Sequence, residues 1–155
     1  MQEPNPLNQV AEFHRTFKHP IQKEPTIPSS NRSNLRVSLL AEELQELKEA
    51  IEDRNLIEIA DALCDLQYVL SGAILEFGLG DKFKDLFDEV HRSNMSKACK
   101  TIEEANDTIQ HYRENHQCDA YHQEEGPLFL VYRKNDNKTL KSIDYSPADL
   151  ASILK

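Results

Sequence analysis

The sequence predicts an all-α fold, a helical bundle followed by a small C-terminal β-hairpin and a short terminal helix. The 155 residues are 39% hydrophobic and include only 4 glycines, which suits a single helical domain with a modest core. Apolar residues recur at helical spacing through most of the first 112 positions. We expect residues 1–99 to form the bundle and residues 100–155 to pack on it or form a small appendage.

Capping residues and helix breakers divide the helical part into five segments. Asn5 with Pro6 begins the first, Asp81 caps the fourth, and Thr101-x-x-Glu104 is a capping box for the fifth. Gly78 follows the third, as is common where helices end. The expected helices cover residues 6–19, about 31–52, 56–77, 82–94 and 102–112.

The chain changes character after residue 127. Leu128–Tyr132 is predicted as one strand, Asn135–Asn137 as a turn and Thr139–Ile143 as the return strand. Ser146 with Pro147 is expected to open a last short helix.

Two acidic clusters mark the second and third helices, Glu42-Glu43-x-x-Glu46 and Glu58-x-x-Asp61. Residues three or four apart share a helix face, so each cluster presents a pair of carboxylates, and two antiparallel helices could bring the pairs together. Carboxylates about 5 Å apart repel by about 3 kcal/mol at an effective dielectric of 20, unless a cation lies between them. The pattern therefore predicts a metal site. Solvated helix faces are the alternative in a chain with 27 acidic residues.

The third helix is apolar on most sides, which is typical of a buried helix. We therefore expect Asp61 and Asp65, one turn apart, to lie partly inside the protein. Interior carboxylates are rare unless they are paired or bound to metal. Asp65 is a candidate for a further ligand or for a hydrogen-bond acceptor behind the ligands.

The donor set indicates which metal to expect. Neither cluster contains histidine, and all-oxygen ligands favour Mg²⁺, with Mn²⁺ as a possible substitute. Magnesium is usually held by a few carboxylates together with substrate phosphates, so the substrate should be phosphorylated. The chain has no glycine-rich phosphate-binding motif.

Charge and composition exclude several other classes. The net charge is −9 and no basic run occurs, which argues against nucleic acid as a partner. No apolar run is long enough to cross a bilayer and the N-terminus has no signal-peptide pattern, so we expect a cytoplasmic protein with no membrane partner. Three scattered cysteines fit reduced thiols.

The acidic arrangement resembles the signature of the all-α nucleoside triphosphate pyrophosphohydrolases, the superfamily of MazG, dimeric dUTPases and phosphoribosyl-ATP pyrophosphohydrolase. Residues 89–97 are similar to the segment that follows the bundle in small MazG-like members. Residues 137–147 are similar to their lysine-rich tail. Residues 100–126 look inserted between these two segments. The resemblance implies a bundle of the MazG-like type.

The resemblance also implies an activity and roles for residues. A Mg²⁺-dependent enzyme would cleave (d)NTP to (d)NMP and pyrophosphate, acting in house-cleaning or on dUTP, and would assemble as a homodimer or homotetramer. Glu42 is the candidate for orienting or deprotonating the attacking water, against a solvated carboxylate as the alternative. The implied metal ligands are Glu43, Glu46, Glu58 and Asp61. The implied substrate contacts are Asn94, Lys97 and Lys141.

Two other functions stay open. Hydrolysis of phosphoribosyl-ATP is the alternative within enzymes, disfavoured because the tail and insertion resemble the MazG-like group. A non-catalytic helical module that senses a nucleotide or binds a partner protein is the other. Such a module would have little reason to keep self-repelling carboxylates together.

Overall fold

The computed structural model describes residues 4–155, in which the chain forms two compact units, one ending at Phe83 and one covering Lys84–Lys155. The chain is mostly helical, with a small antiparallel hairpin and a short last helix, so the predicted fold class is confirmed. Within the described residues, no helix is both long and apolar enough to cross a membrane. The elements are α1 (Pro6–Phe17), α2 (Ser30–Glu52), α3 (Leu56–Glu76), α4 (Phe83–Met95), α5 (Ile102–His116), β1 (Ala120–Glu125), β2 (Leu128–Arg133) and α6 (Leu150–Leu154).

The first unit is built on α2 and α3, which pack against each other and are connected by a three-residue turn. Asn55 ends this turn and caps α3, because its side-chain oxygen accepts the backbone N–H groups of Ile57 and Glu58. The short turn makes the two helices antiparallel, so the C-terminal half of α2 lies beside the N-terminal half of α3. Helix α1 packs on α3 through a small core of Val10, Ala11 and Leu75.

The loop between α1 and α2 is fastened to the end of α3. The N–H groups of Gln22 and Thr26 donate to the carbonyls of Leu75 and Phe77, both at 3.0 Å. Gly78 follows with φ +68°, and a Cβ there would lie 1.9 Å from the carbonyl oxygen of Glu24. Glycine is therefore required both for the left-handed turn and for the approach of the loop.

The second unit has its own core, formed where α5 packs on the hairpin. Thr101 caps α5 as predicted, since its hydroxyl accepts the N–H of Glu104 at 3.1 Å. The hairpin pairs Tyr121 with Tyr132, and α5 covers both strands. The buried members of this core are Cys99, Ala105, Ala120, Val131 and Leu140.

The hairpin uses a different partner strand from the one predicted. Leu128–Tyr132 lies within β2, but the strand paired with it is β1, and the return strand predicted over 139–143 is wrong. That segment makes only an isolated bridge at Thr139 and then turns to α5, where the hydroxyls of Tyr112 and Thr108 accept its N–H groups. Side-chain acceptors on α5 thus replace a strand ladder.

Two further predictions differ from the structure. The last helix begins at Leu150 and is capped by Asp149, whose side chain accepts the N–H of Ser152 at 3.2 Å, so the predicted start at Ser146 is wrong. The N-terminal half of α3 is also more exposed than predicted. Asp61 is exposed and Asp65 is half-buried, because in a single chain this half of α3 is covered only partly.

Candidate functional site

The six predicted carboxylates lie where the two long helices of the first unit run side by side. Glu58, Asp61 and Asp65 come from the N-terminal half of α3, and their partners come from the C-terminal half of α2. Glu58 stands in the first turn of α3, where the helix dipole favours negative charge. Two of the six are half-buried, Glu43 and Asp65, and the exposed ones are Glu42, Glu46, Glu58 and Asp61.

Glu43 is the centre of this group. Burial raises the pKa of its carboxyl, and the charges of the surrounding carboxylates raise it further, in the order Glu46, Asp65, Glu42 and Asp61. The structure thus brings carboxylates of both helices near Glu43. None of the ion pairs seen in residues 4–155 involves any of the six carboxylates. Their mutual repulsion is therefore not offset by an ion pair with any described residue.

The donor set fits a hard divalent cation, although the side chains are not gathered into a coordination shell. Within residues 4–155, no three His, Cys, Asp or Glu side chains converge closely enough to hold a metal ion together. Carboxylate oxygens are nevertheless the donors that Mg²⁺ takes in proteins. Four of the six side chains are exposed, so a change of rotamer would have room to turn them toward an ion beside Glu43.

A second charged cluster lies at the opposite end of the α2–α3 pair and was not predicted from the sequence. Glu76 is only 1% exposed. Its carboxylate accepts the guanidinium N–H groups of Arg32, at 3.0 Å for Nε, and of Arg36. Burial alone would raise the pKa of Glu76, but the bonds from the two arginines outweigh it and the pKa is lowered. The sequence feature that could have indicated this cluster is Glu76, a glutamate at the end of an otherwise apolar helix segment.

His14 and Gly72 complete this end of the pair. His14 is buried, and its Nδ1–H donates to the carbonyl of Pro20 at 2.9 Å. The hydrogen bond to Pro20 raises the pKa of the imidazole, but burial outweighs it and the pKa is lowered. The lowered pKa favours the neutral ring. A Cβ on Gly72 would lie 2.7 Å from Nη1 of Arg36 and 3.1 Å from Nε2 of His14. The glycine therefore makes room for both side chains against α3.

The three predicted substrate contacts all lie in the second unit. Asn94 is exposed near the end of α4, and its side-chain oxygen accepts a hydrogen bond from Nζ of Lys97 at 2.7 Å. Nζ of Lys141 instead lies 4.3 Å from the centroid of the Tyr145 ring. The structure brings Asn94 and Lys97 together, and the role of all three residues stays a prediction.

A family model decides which group of proteins this chain belongs to. The model of phosphoribosyl-ATP pyrophosphohydrolase, PRA-PH, matches residues 10–94, which is 85 of the 155 residues and includes all six carboxylates. The chain belongs to this family. The PRA-PH domain is a member of the all-α MazG-like nucleoside triphosphate pyrophosphohydrolase superfamily, so the resemblance is confirmed. The protein is a pyrophosphohydrolase, a hydrolase acting on acid anhydrides, and members of the family generally use divalent metal ions.

The chain is also similar to a viral protein, the uncharacterized protein L479 of Acanthamoeba polyphaga mimivirus. The two are 26% identical over an alignment of 189 residues, which covers 67% of this chain and 75% of the viral protein. The similarity to this viral protein points to no particular substrate.

Proposed function

We propose that the chain is a Mg²⁺-dependent nucleoside triphosphate pyrophosphohydrolase that cleaves (d)NTP to (d)NMP and pyrophosphate, in house-cleaning of the nucleotide pool or on dUTP. The family match supports the pyrophosphohydrolase chemistry. The observation that carries the metal dependence is the group of carboxylates from two helices around Glu43, none of which is in an ion pair within residues 4–155.

The carboxylates divide into ligands and a base. Glu43 with Glu46 on α2 and Glu58 with Asp61 on α3 would hold the ion, and Asp65 would hydrogen-bond behind them. When bound, Mg²⁺ supplies Lewis-acid stabilisation of the charge that develops on the triphosphate. Water adds to the α-phosphorus, and the bond between the α-phosphorus and the oxygen that bridges to the β-phosphorus breaks. The products are (d)NMP and pyrophosphate.

Glu42 lies beside the ligands and is exposed. Its carboxylate would accept a hydrogen bond from the attacking water, orient it in line with the leaving pyrophosphate and take up its proton. Lys97 and Lys141 would contact the triphosphate with their amines, and Asn94 would hydrogen-bond the nucleotide. The hydrogen bond between Lys97 and Asn94 supports a joint role for that pair.

Exposed apolar stripes support a homodimer or homotetramer. Residues at seven-residue spacing, the period of a helix–helix seam, line one side of each long helix and are between 42% and 77% exposed. A second copy would bury them. On α2 these residues are Val37, Leu44 and Ile51, and on α3 they are Leu56, Leu63 and Leu70. Analytical ultracentrifugation of a Leu56→Glu/Leu63→Glu variant should show monomers where the native chain shows dimers or tetramers, and a native monomer would contradict the proposal.

Phosphoribosyl-ATP is the second candidate substrate. The family that matches is named for the hydrolysis of this compound. Phosphoribosyl-ATP presents the same class of phosphoanhydride to the site as a nucleoside triphosphate. It belongs in the same assay as the nucleoside triphosphates.

The test of the function is pyrophosphate release from a panel of (d)NTPs and phosphoribosyl-ATP with Mg²⁺, comparing the native chain with Glu46→Gln and Asp61→Asn. Glu49→Gln, an exposed carboxylate on the same helix bound to Gln45, is the matched control. We expect turnover by the native and control chains and none by the two ligand variants. Absence of release from every panel member, or release that persists in both ligand variants, would contradict the proposal.

A further inference from the structure

A cavity of about 230 Å³ lies between the three helices of the first unit. Its walls are apolar at Leu35, Leu39 and Val69 and aromatic at Phe13 and Tyr68. The volume is below the roughly 300 Å³ at which pockets for drug-sized ligands begin. It therefore suits a single ring system rather than a whole nucleotide.

One wall of the cavity is an aromatic cluster. Phe13 stacks on His19 with ring centroids 5.7 Å apart, and the ring of Tyr68 meets Phe13 edge-on at 5.6 Å. All three side chains line the cavity. Aromatic walls of this kind bind flat rings, which stack on their faces or meet their edges.

Arg36 also lines this cavity. The residue is only 7% exposed, and its Nη2 is bound to Glu76. Its Nε is buried and has no hydrogen-bond partner among residues 4–155. Buried donors without partners are rare in folded proteins, and each needs an explanation. A ligand with a hydrogen-bond acceptor would satisfy it.

The cavity and the carboxylates lie along one seam. Arg36 precedes Glu43 by seven residues, which is two helical turns, so both lie on the same side of α2 about 10 Å apart. Tyr68 follows Asp65 by three residues, about one turn further along α3. A ring held in the cavity and phosphates held at the carboxylates would be bridged by a sugar.

We infer that this cavity holds the nucleobase of the substrate and that Arg36 selects it. The Nε–H of Arg36 donates to a carbonyl oxygen or ring nitrogen of the base, and Phe13 and Tyr68 contact its ring. The inference rests on the proposed function, since it assumes that the substrate carries a base.

Two variants test the inference. Leu35→Trp fills the cavity from a position that is 40% exposed and leaves Arg36 and Glu76 intact. Its control is Ile27→Trp, an exposed loop position outside the cavity lining. Arg36→Lys keeps a positive charge beside Glu76 but lacks the Nε–H donor.

The first readout is methyl NMR with deoxynucleosides, which have no phosphate, in the absence of metal. We expect the Leu39 and Val69 methyl signals to shift in the native and Ile27→Trp chains and to stay unchanged in Leu35→Trp. In turnover, Leu35→Trp should raise KM by about tenfold with kcat retained, and Arg36→Lys should reduce the discrimination between bases by about tenfold. Should Arg36→Lys fail to fold, Leu35→Trp decides alone.

The outcomes separate this inference from the proposed function. If the native chain hydrolyses nucleotides while Leu35→Trp keeps the native KM and no methyl shifts, the base lies elsewhere and the inference is overturned, although the function stands. If no substrate is hydrolysed, the proposed function is contradicted, and the methyl shifts alone decide whether the cavity binds a base. Shifts at Leu39 and Val69 would then support a base-binding cavity, and unchanged signals would overturn it.

Discussion

The two ends of the α2–α3 pair both hold carboxylates, but within residues 4–155 the group around Glu43 is in no ion pair, whereas Glu76 at the other end is paired with arginines. At one end, Arg32 and Arg36 donate to the buried carboxylate of Glu76 and lower its pKa. At the other end, burial and the charges of Glu46 and other nearby carboxylates raise the pKa of Glu43. One cluster is balanced by the chain itself, and the other leaves a negative field open to solvent.

This difference separates a structural role from a functional one. A buried ion pair that is complete within the fold holds two helices in register, and removing one partner leaves a buried charge uncompensated. A group of carboxylates without a partner lowers stability and is explained most simply by a ligand that arrives later. The comparison therefore assigns stability to the ion pairs of Glu76 with Arg32 and Arg36, and metal binding to the open carboxylates around Glu43.

The largest expected effect on stability is at the arginine end. Glu76→Gln should lower the free energy of unfolding by about 3–5 kcal/mol, because it leaves the guanidinium of Arg36 buried without its counter-charge. Urea denaturation measures this value. The control Glu49→Gln should stay within about 0.5 kcal/mol of the native chain, and a loss of similar size in both variants would remove the distinction between the two ends.

The next effect is on activity at the carboxylate end. Asp61→Asn should reduce kcat/KM by at least the roughly 100-fold that loss of a residue supporting a metal site can cause. Its free energy of unfolding without metal should not fall, because the substitution removes repulsion at an exposed position. A variant that lost activity and stability together would indicate a structural role for Asp61.

Acid should act on the arginine end with a defined sign. The pKa of Glu76 lies below its ordinary value of 4.5, so its ion pair contributes fully above pH 4.5 and the contribution is lost as the pH falls through the folded-state pKa. The gap in unfolding free energy between the native chain and Glu76→Gln should be largest near neutral pH and shrink below pH 4.5. Urea titrations over a pH series would reveal it, and a constant gap would refute the assignment.

The smallest effect is expected at Glu43 in the absence of metal. Its pKa is raised, so the ionised form disfavours the folded state and Glu43→Gln should stabilise the metal-free chain. The gain should be about 0.2–0.5 kcal/mol, as for a like-charge pair on a helix surface. Denaturation in EDTA would measure it, and destabilisation would show that Glu43 has a favourable partner.

The helices and the acidic pattern could be read from the sequence because their signals are local. Asn55 and Thr101 accept N–H groups two or three residues ahead, and carboxylates three or four apart share a helix face. The pairing of Glu76 with Arg32 and Arg36 spans 44 and 40 residues, and no local spacing indicates it. Strand β1, Ala120–Glu125, was missed because its sequence is polar and rich in glutamate, which strands disfavour.

The most direct test of the metal assignment is Mn²⁺ binding followed by electron paramagnetic resonance, with Mg²⁺ as the competitor. The native chain and the Glu49→Gln control should bind Mn²⁺ and release it to Mg²⁺, whereas Glu43→Gln and Asp61→Asn should bind it at least about tenfold more weakly. Equal Mn²⁺ affinity in all four proteins, or no binding by the native chain with its substrate present, would contradict a metal site between α2 and α3.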